Sequence, residues 1–163
     1  LLTLVKLDKT SGDLDVTSVS VNETIELILK RLRPIAKQRS IDVLYESARE
    51  VYAEVDEVKL TLALSNFVEN AIKYNNEYGY VKVSLDADHQ YATIVVEDNG
   101  IGIPEEEQEH VFERFYRVDK SHSREIGGTG LGLAIAKSII DFHKFKVNVS
   151  GVEGENVCFT VIM

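Results

Sequence analysis

Between Asp56 and Tyr74 the chain carries neither Gly nor Pro, and the two segments that follow, Tyr80–Leu85 and Tyr91–Glu97, alternate apolar and polar residues. A long uninterrupted helix followed by two period-two strands, joined through Asp88-His89-Gln90, must lay one apolar helix face on one apolar sheet face. The rest of the chain fits that scheme. Leu14–Val19 alternates weakly and reads as a strand. Asn22–Ser40 reads as a helix with apolar Ile25, Leu29, Leu32 and Ala36, with Asn22 as its expected N-cap and Pro34 expected to kink or break it. Ile41–Tyr45 and Val51–Ala53 are expected to form a hairpin. Glu105–Phe115 reads as one or two short helices, Arg117–Gly130 as a polar, mobile segment, and Leu131–Phe142 as a helix. Lys146–Ser150 and Val157–Ile162 read as a last strand pair around Gly151 and Gly154. The expected fold class is α/β, with helices covering one face of a mixed, largely antiparallel sheet.

With 163 residues, 44% of them apolar, the chain suits one compact domain. The formal net charge of −9 argues against nucleic acid or an anionic membrane as main partner, but a local basic pocket for a nucleotide is compatible with it. The single cysteine, Cys158, excludes an internal disulfide and is expected to pack in the core. No run approaches the roughly 18 apolar residues of a membrane span, and no signal peptide is visible, so a cytoplasmic chain is expected. Leu1, Leu4 and Leu7 arrive without a start signal, in the manner of the end of a longer helix.

Winding Asp56–Tyr74 at ~100° per residue places Leu60, Leu64, Phe67, Val68 and Ala71 on one face. Asn66, Asn70, Lys73 and Glu77 fall on another, flanked by Glu69. Asn is a poor helix former, so two amides and an ammonium in line make sense against something anionic and oxygen-rich. An amide oxygen suits Mg²⁺, and a lysine ammonium suits a phosphate. An ordinary solvated face is the alternative. "EDNGIGIPEE" (Glu97–Glu106) ends an apolar strand on Asp98 beside a loose Asn-Gly turn. "GGTGLGLAIAK" (Gly127–Lys137) leads a Gly-rich turn into a helix, where free N–H groups and the helix dipole favour an anion. Its glycine spacing is neither that of the phosphate loop nor that of the dinucleotide fold.

Taken in order, "NFVENAIKYN" (Asn66–Asn75), "EDNGIGIP", "VFERFYRVD" (Val111–Asp119) and "GGTGLGLAIAK" resemble the N, G1, F and G2 boxes of the ATP-binding catalytic domain of bacterial sensor histidine kinases. The resemblance implies a Bergerat fold: a two-layer α/β sandwich with about five strands under three helices and a mobile ATP lid. It implies residues 1–12 as the end of a dimerisation helix and 13–163 as the catalytic domain. ATP and Mg²⁺ are the implied ligands. Asn70 would ligate the metal, Asn66 would support the metal and phosphate site, and Lys73 would approach the phosphates. Tyr74 would line the nucleotide site, Asp98 would accept from the adenine amino group, and Gly100 and Gly102 would let backbone approach the base. Arg117 would reach the γ-phosphate. Gly128, Gly130 and Gly132 would cradle the phosphates, Phe112 and Phe115 would anchor the lid, and Ile103, Thr129 and Leu131 complete the implied nucleotide-binding set.

In the gyrase, chaperone and mismatch-repair ATPases of similar fold, a glutamate four residues before the metal Asn serves as base for water. Here that position is Asn66, and an amide cannot take that proton, so hydrolysis should be slow. Glu69 is a candidate polariser at a different position. The chain also departs from the family's His-Gly-Gly with His143-Lys144-Phe145, and from Gly-x-Gly-Thr with Gly154-Glu155-Asn156-Val157. None of His89, His110, His122 and His143 sits in a phosphoacceptor pattern. The resemblance therefore implies phosphoryl transfer to a histidine on an adjoining dimerisation domain, with a response regulator receiver domain as the further partner. The parent would be a homodimer, compatible with the cell membrane, and the isolated domain a monomer. The rivals are an ATP-hydrolysing clamp and a protein-binding module of the anti-sigma kind.

Overall fold

A computed structural model describes residues 14–113 and 132–163. Strand β1 (Val16–Ser20) leads into helix α1 (Val21–Gln38), followed by β2 (Asp42–Ser47), β3 (Tyr52–Asp56) and helix α2 (Glu57–Lys73). Then come β4 (Tyr80–Ala87), β5 (Ala92–Asp98), a 3₁₀ turn (Glu105–His110), helix α3 (Gly132–Phe142), β6 (Lys146–Val152) and β7 (Asn156–Ile162). Five strands form one mixed sheet in the order β2-β4-β5-β7-β6, and β1 pairs with β3 in a separate antiparallel ribbon. Burial alternates along β4, β5 and β7, so one sheet face is closed and the other is open. The closed face packs under α1 at the β2 edge, α2 over the centre and α3 toward β6. The apolar stripe foreseen on α2, Leu60, Leu64, Phe67, Val68 and Ala71, is buried, and Phe67 stacks on Phe159 of β7 with ring centroids 5.0 Å apart.

Several expectations need correction. β2 and β3 are not a hairpin: β2 runs parallel to β4, and β3 pairs with β1. Asn22 is not the N-cap of α1. Ser20 is, its Oγ accepting the Glu23 N–H at 3.3 Å. Asn22 sits inside the first turn, 6% exposed, and uses its amide to hold the β2–β3 connection. Its Nδ2 donates to Ser47 Oγ (2.9 Å) and Arg49 O (3.0 Å), and its Oδ1 accepts Val51 N–H (2.7 Å). Helix α1 runs through Pro34 without a break, and Pro34 lies on its exposed side. Cys158 is only half-buried, on the open sheet face beside Glu97. His143 joins two helices: its Nδ1 donates to Ile139 O (2.9 Å) and its Nε2 accepts from Asp56 N–H (3.0 Å).

Two helices end in left-handed residues that are not glycine. After α1, Ile41 N–H donates to Ala36 O and Ser40 N–H to Lys37 O, with Ser40 at φ 57°. After α3, Phe145 N–H donates to Ile140 O and Lys144 N–H to Asp141 O, with Lys144 at φ 62°. This is the Schellman ending, which favours Gly at its left-handed position. Lys144 occupies one of the glycine positions of His-Gly-Gly, and it is exposed. Lys144→Gly is therefore expected to raise stability by about 1 kcal/mol, measured by urea unfolding.

Candidate functional site

Strand β5 places Ile94, Val96 and Asp98 on the closed face of the sheet. Asp98 ends the central strand, between Val81 of β4 and Val157 of β7, and is 4% exposed. Its Oδ1 accepts Gly100 N–H at 2.8 Å, the carboxyl's one hydrogen bond among the described residues. Burial pushes the carboxyl up to about 7; the Gly100 bond acts against that rise and neighbouring Glu97 adds to it. A buried carboxyl with vacant lone pairs is ready to accept from a ligand donor.

Helix α2 ends where that turn begins. A Cβ at Gly100 would stand 2.4 Å from Tyr74 O and 2.8 Å from Asn75 Cα, so only glycine fits. Ile101 N–H donates to Tyr74 O at 3.1 Å. Gly102, at φ 75°, faces a different neighbour: a Cβ there would meet Val152 O at 2.2 Å, and Gly154 N–H donates to Ile101 O at 2.7 Å. The crowding that demands glycine at both positions comes from the protein's own backbone. Ile103 belongs to the core, and its carbonyl accepts from Gln108 Nε2 at 3.3 Å.

Asn66, Asn70 and Lys73 lie half-buried along α2, and Tyr74 is its C-cap. Asn66 Nδ2 is buried without a partner among the described residues. Gly132, which opens α3, faces it: a Cβ on Gly132 would lie 3.2 Å from Asn66 Oδ1. The structure thus joins the first residue of "NFVENAIKYN" to the end of the glycine-rich turn. Glu77 does not extend the polar stripe, because α2 ends at Lys73 and Glu77 stands in the exposed turn beyond. Glu69 is engaged with Arg31 at 3.7 Å, and Arg31 also donates to Ser65 Oγ at 3.0 Å. Phe112 meets Phe159 edge-on at 6.1 Å. Arg117, Gly128, Thr129, Gly130 and Leu131, with Phe115 and His122, lie outside the described residues.

Three residues that sequence reasoning passed over complete this end of the site. Asn75, 2% exposed, donates to Tyr80 O at 2.8 Å and accepts Asn76 N–H at 2.8 Å. Asn99 Oδ1 accepts Tyr80 N–H at 2.7 Å. Arg39 bonds carbonyls at the end of α2. The two asparagines carry a turn signal in Tyr-Asn-Asn and Asn-Gly; Arg39 carries none.

A sequence model described as "Histidine kinase-, DNA gyrase B-, and HSP90-like ATPase" matches residues 55–163, more than half of the chain. The chain belongs to this ATPase family. The family's ATP-binding character accords with a buried acceptor set beside a row of amides. Sensor histidine kinase WalK of Bacillus subtilis is 37% identical over 98% of this chain, which spans only 26% of that protein. The catalytic domain of histidine kinase ThkA superposes with a TM-score of 0.81 at 28% identity, covering 92% of this chain and 95% of the other. ThkA in complex with the response regulator TrrA matches 91% of this chain and 41% of that one, with a TM-score of 0.76 and 26% identity. The two-layer α/β fold of this ATPase domain is therefore that of a histidine kinase catalytic domain. Among the described residues no helix is long and apolar enough to cross a membrane.

Proposed function

We propose that residues 13–163 are the catalytic domain of a sensor histidine kinase and that residues 1–12 end its dimerisation helix. The domain binds Mg-ATP and passes the γ-phosphoryl group to a histidine on the adjoining dimerisation domain, from which a response regulator receiver domain takes it. The parent is a homodimer, the isolated domain a monomer on the cytoplasmic side. The observation that carries the reading is the buried Asp98 carboxyl, with one hydrogen bond among the described residues, at the turn that meets the end of the Asn66–Asn70–Lys73 row. Once ionised, Asp98 accepts from the adenine amino group; guanine presents an oxygen there and is repelled.

The donor set fits a metal-triphosphate. Asn66 holds a buried amide nitrogen free for a phosphate oxygen, and Asn70 offers a hard amide oxygen. Amide and phosphate oxygens would hold the ion there. Mg²⁺, when bound, supplies neutralisation of the phosphate charge. Lys73 adds a point charge and Arg117 a second one near the γ-phosphate, while Tyr74, Gly100, Gly102, Ile103, Gly128, Thr129, Gly130, Leu131 and Gly132 shape the nucleotide's surroundings. Asn66 stands where a hydrolase needs a carboxylate, which favours transfer over hydrolysis.

Labelled ATP, mixed with this chain and a separately produced dimerisation domain, is expected to label the latter and leave the former unlabelled. Label on His89, His110, His122 or His143, or steady ATP turnover by this chain alone, would sink the reading.

A further inference from the structure

Four successive carbonyls close α2, and two distant elements hold them. Arg39, the C-cap of α1, sends Nη1 to the carbonyls of Ile72 and Lys73, the latter at 2.8 Å, and Nη2 to Asn75 O at 2.8 Å. Between them, Tyr74 O accepts from Ile101 N–H at 3.1 Å, from the turn after Asp98. A helix C-terminus carries partial negative charge, and a guanidinium opposes it. A planar fork of donors also spans a fan of carbonyls as an ammonium cannot. With both Nη groups engaged in this way, Arg39 is set to hold backbone, not to bind phosphate.

We propose that Arg39 is a positioning residue of the nucleotide site. It fixes the last turn of α2, which bears Asn70, Lys73 and Tyr74, against the Asp98–Ile101 turn, so that the phosphate side and the base side keep one spacing. The tolerance for movement is small, because Gly100 has no room for even one extra carbon before Tyr74 O, 2.4 Å from that position. If the guanidinium is removed, the carbonyls of Ile72, Lys73 and Asn75 lose a donor and the turn relaxes away from Asp98. The inference rests on the ATP reading above.

The test compares ATP and GTP binding by calorimetry for the full chain, Arg39→Ala and Arg39→Lys, with a thermal melt of each. Wild type is expected to prefer ATP. Arg39→Ala is expected to weaken ATP about tenfold, as loss of an outer-shell partner does, and to narrow the ATP-over-GTP preference by a similar factor. Methylguanidinium in the buffer should restore both. Arg39→Lys should fall between the two. A purely structural role lowers the melting temperature and leaves the preference untouched, so an Arg39→Ala preference within about twofold of wild type overturns the proposal. Should Arg39→Ala fail to fold, Arg39→Lys decides on the same criterion. If wild type binds neither nucleotide, the ATP reading itself falls and this inference with it. If wild type binds and the variants match it, only this inference falls.

Discussion

Asn70→Asp is expected to lower phosphoryl transfer to a supplied dimerisation domain by about 10²–10³-fold at saturating ATP, the scale seen when one preorganised transition-state contact is lost. Asn70 lies half-buried on the exposed edge of α2, and its side chain makes no hydrogen bond to the protein among the described residues. The helix does not depend on it: Asn70 contributes its backbone oxygen to the C-cap, which an Asp backbone also supplies. The substitution keeps shape and adds a negative charge beside the triphosphate. It also removes two amide donors. Unfolding by urea should therefore be nearly unchanged while transfer collapses. Raising Mg²⁺ should recover nucleotide binding more than rate, because the loss is of geometry and charge balance in the transition state. Undiminished transfer would refute the role.

What was legible in the sequence was local. The β4–β5 pair announces itself because both strands alternate with period two and a short polar turn joins them, so neighbours in sequence are neighbours in space. The β2 and β3 segments look equally local, yet β2 lies parallel to β4 across all of α2 and β3 pairs with β1. Strand partners are set by tertiary burial, which no window around Ile41–Ala53 contains. The N-cap of α1, expected at Asn22 and found at Ser20, shifts for the same reason. Both suit a cap, and Asn22 was claimed instead by Ser47, Arg49 and Val51, 25–29 residues away. The two-stranded β1–β3 ribbon was missed for the same reason.

The candidate site divides along the same line. Asp98 was legible because a carboxylate ending an apolar run on the closed side of a strand contradicts its pattern. Asn66 and Asn70 were legible as poor helix formers in line. Arg39 was not, since a basic residue at the end of an amphipathic helix ordinarily meets water, and its carbonyl partners lie 33–36 residues on. The glycines of the Asp98 turn were foreseen as glycines but for another neighbour: the structure sets them against Tyr74 O and Val152 O.

Asp98→Asn should separate affinity from stability. A hydrogen bond to a charged acceptor is worth ~1.5–3 kcal/mol, so ATP affinity is expected to fall roughly 10- to 100-fold and the preference over GTP to shrink with it. Stability should move the other way as pH rises. The folded carboxyl titrates at about 7 against 3.8 for the ordinary group, so between those values the unfolded chain gives up a proton that the folded chain keeps. Below the ordinary value both states are protonated and nothing is lost. Through the window the wild-type fold weakens, and above about pH 7 the full penalty applies. At about 1.4 kcal/mol per unit, that penalty is roughly 4 kcal/mol. Asn does not titrate. The stability of Asp98→Asn relative to wild type should therefore climb by roughly 4 kcal/mol between about pH 4 and pH 8, whatever constant offset its packing adds. Nucleotide reverses the sign for wild type, because an adenine amino donor favours the charged carboxylate and binding must expel the proton. ATP affinity of wild type, normalised to Asp98→Asn to remove the titration of the triphosphate, should rise through neutral pH and level off above it. A flat normalised affinity with unchanged ATP preference would remove Asp98 from the base-reading role. A flat stability difference would show that the buried carboxyl titrates normally. The same burial that weakens the empty fold at neutral pH thus sets the pH range over which the acceptor takes its ligand.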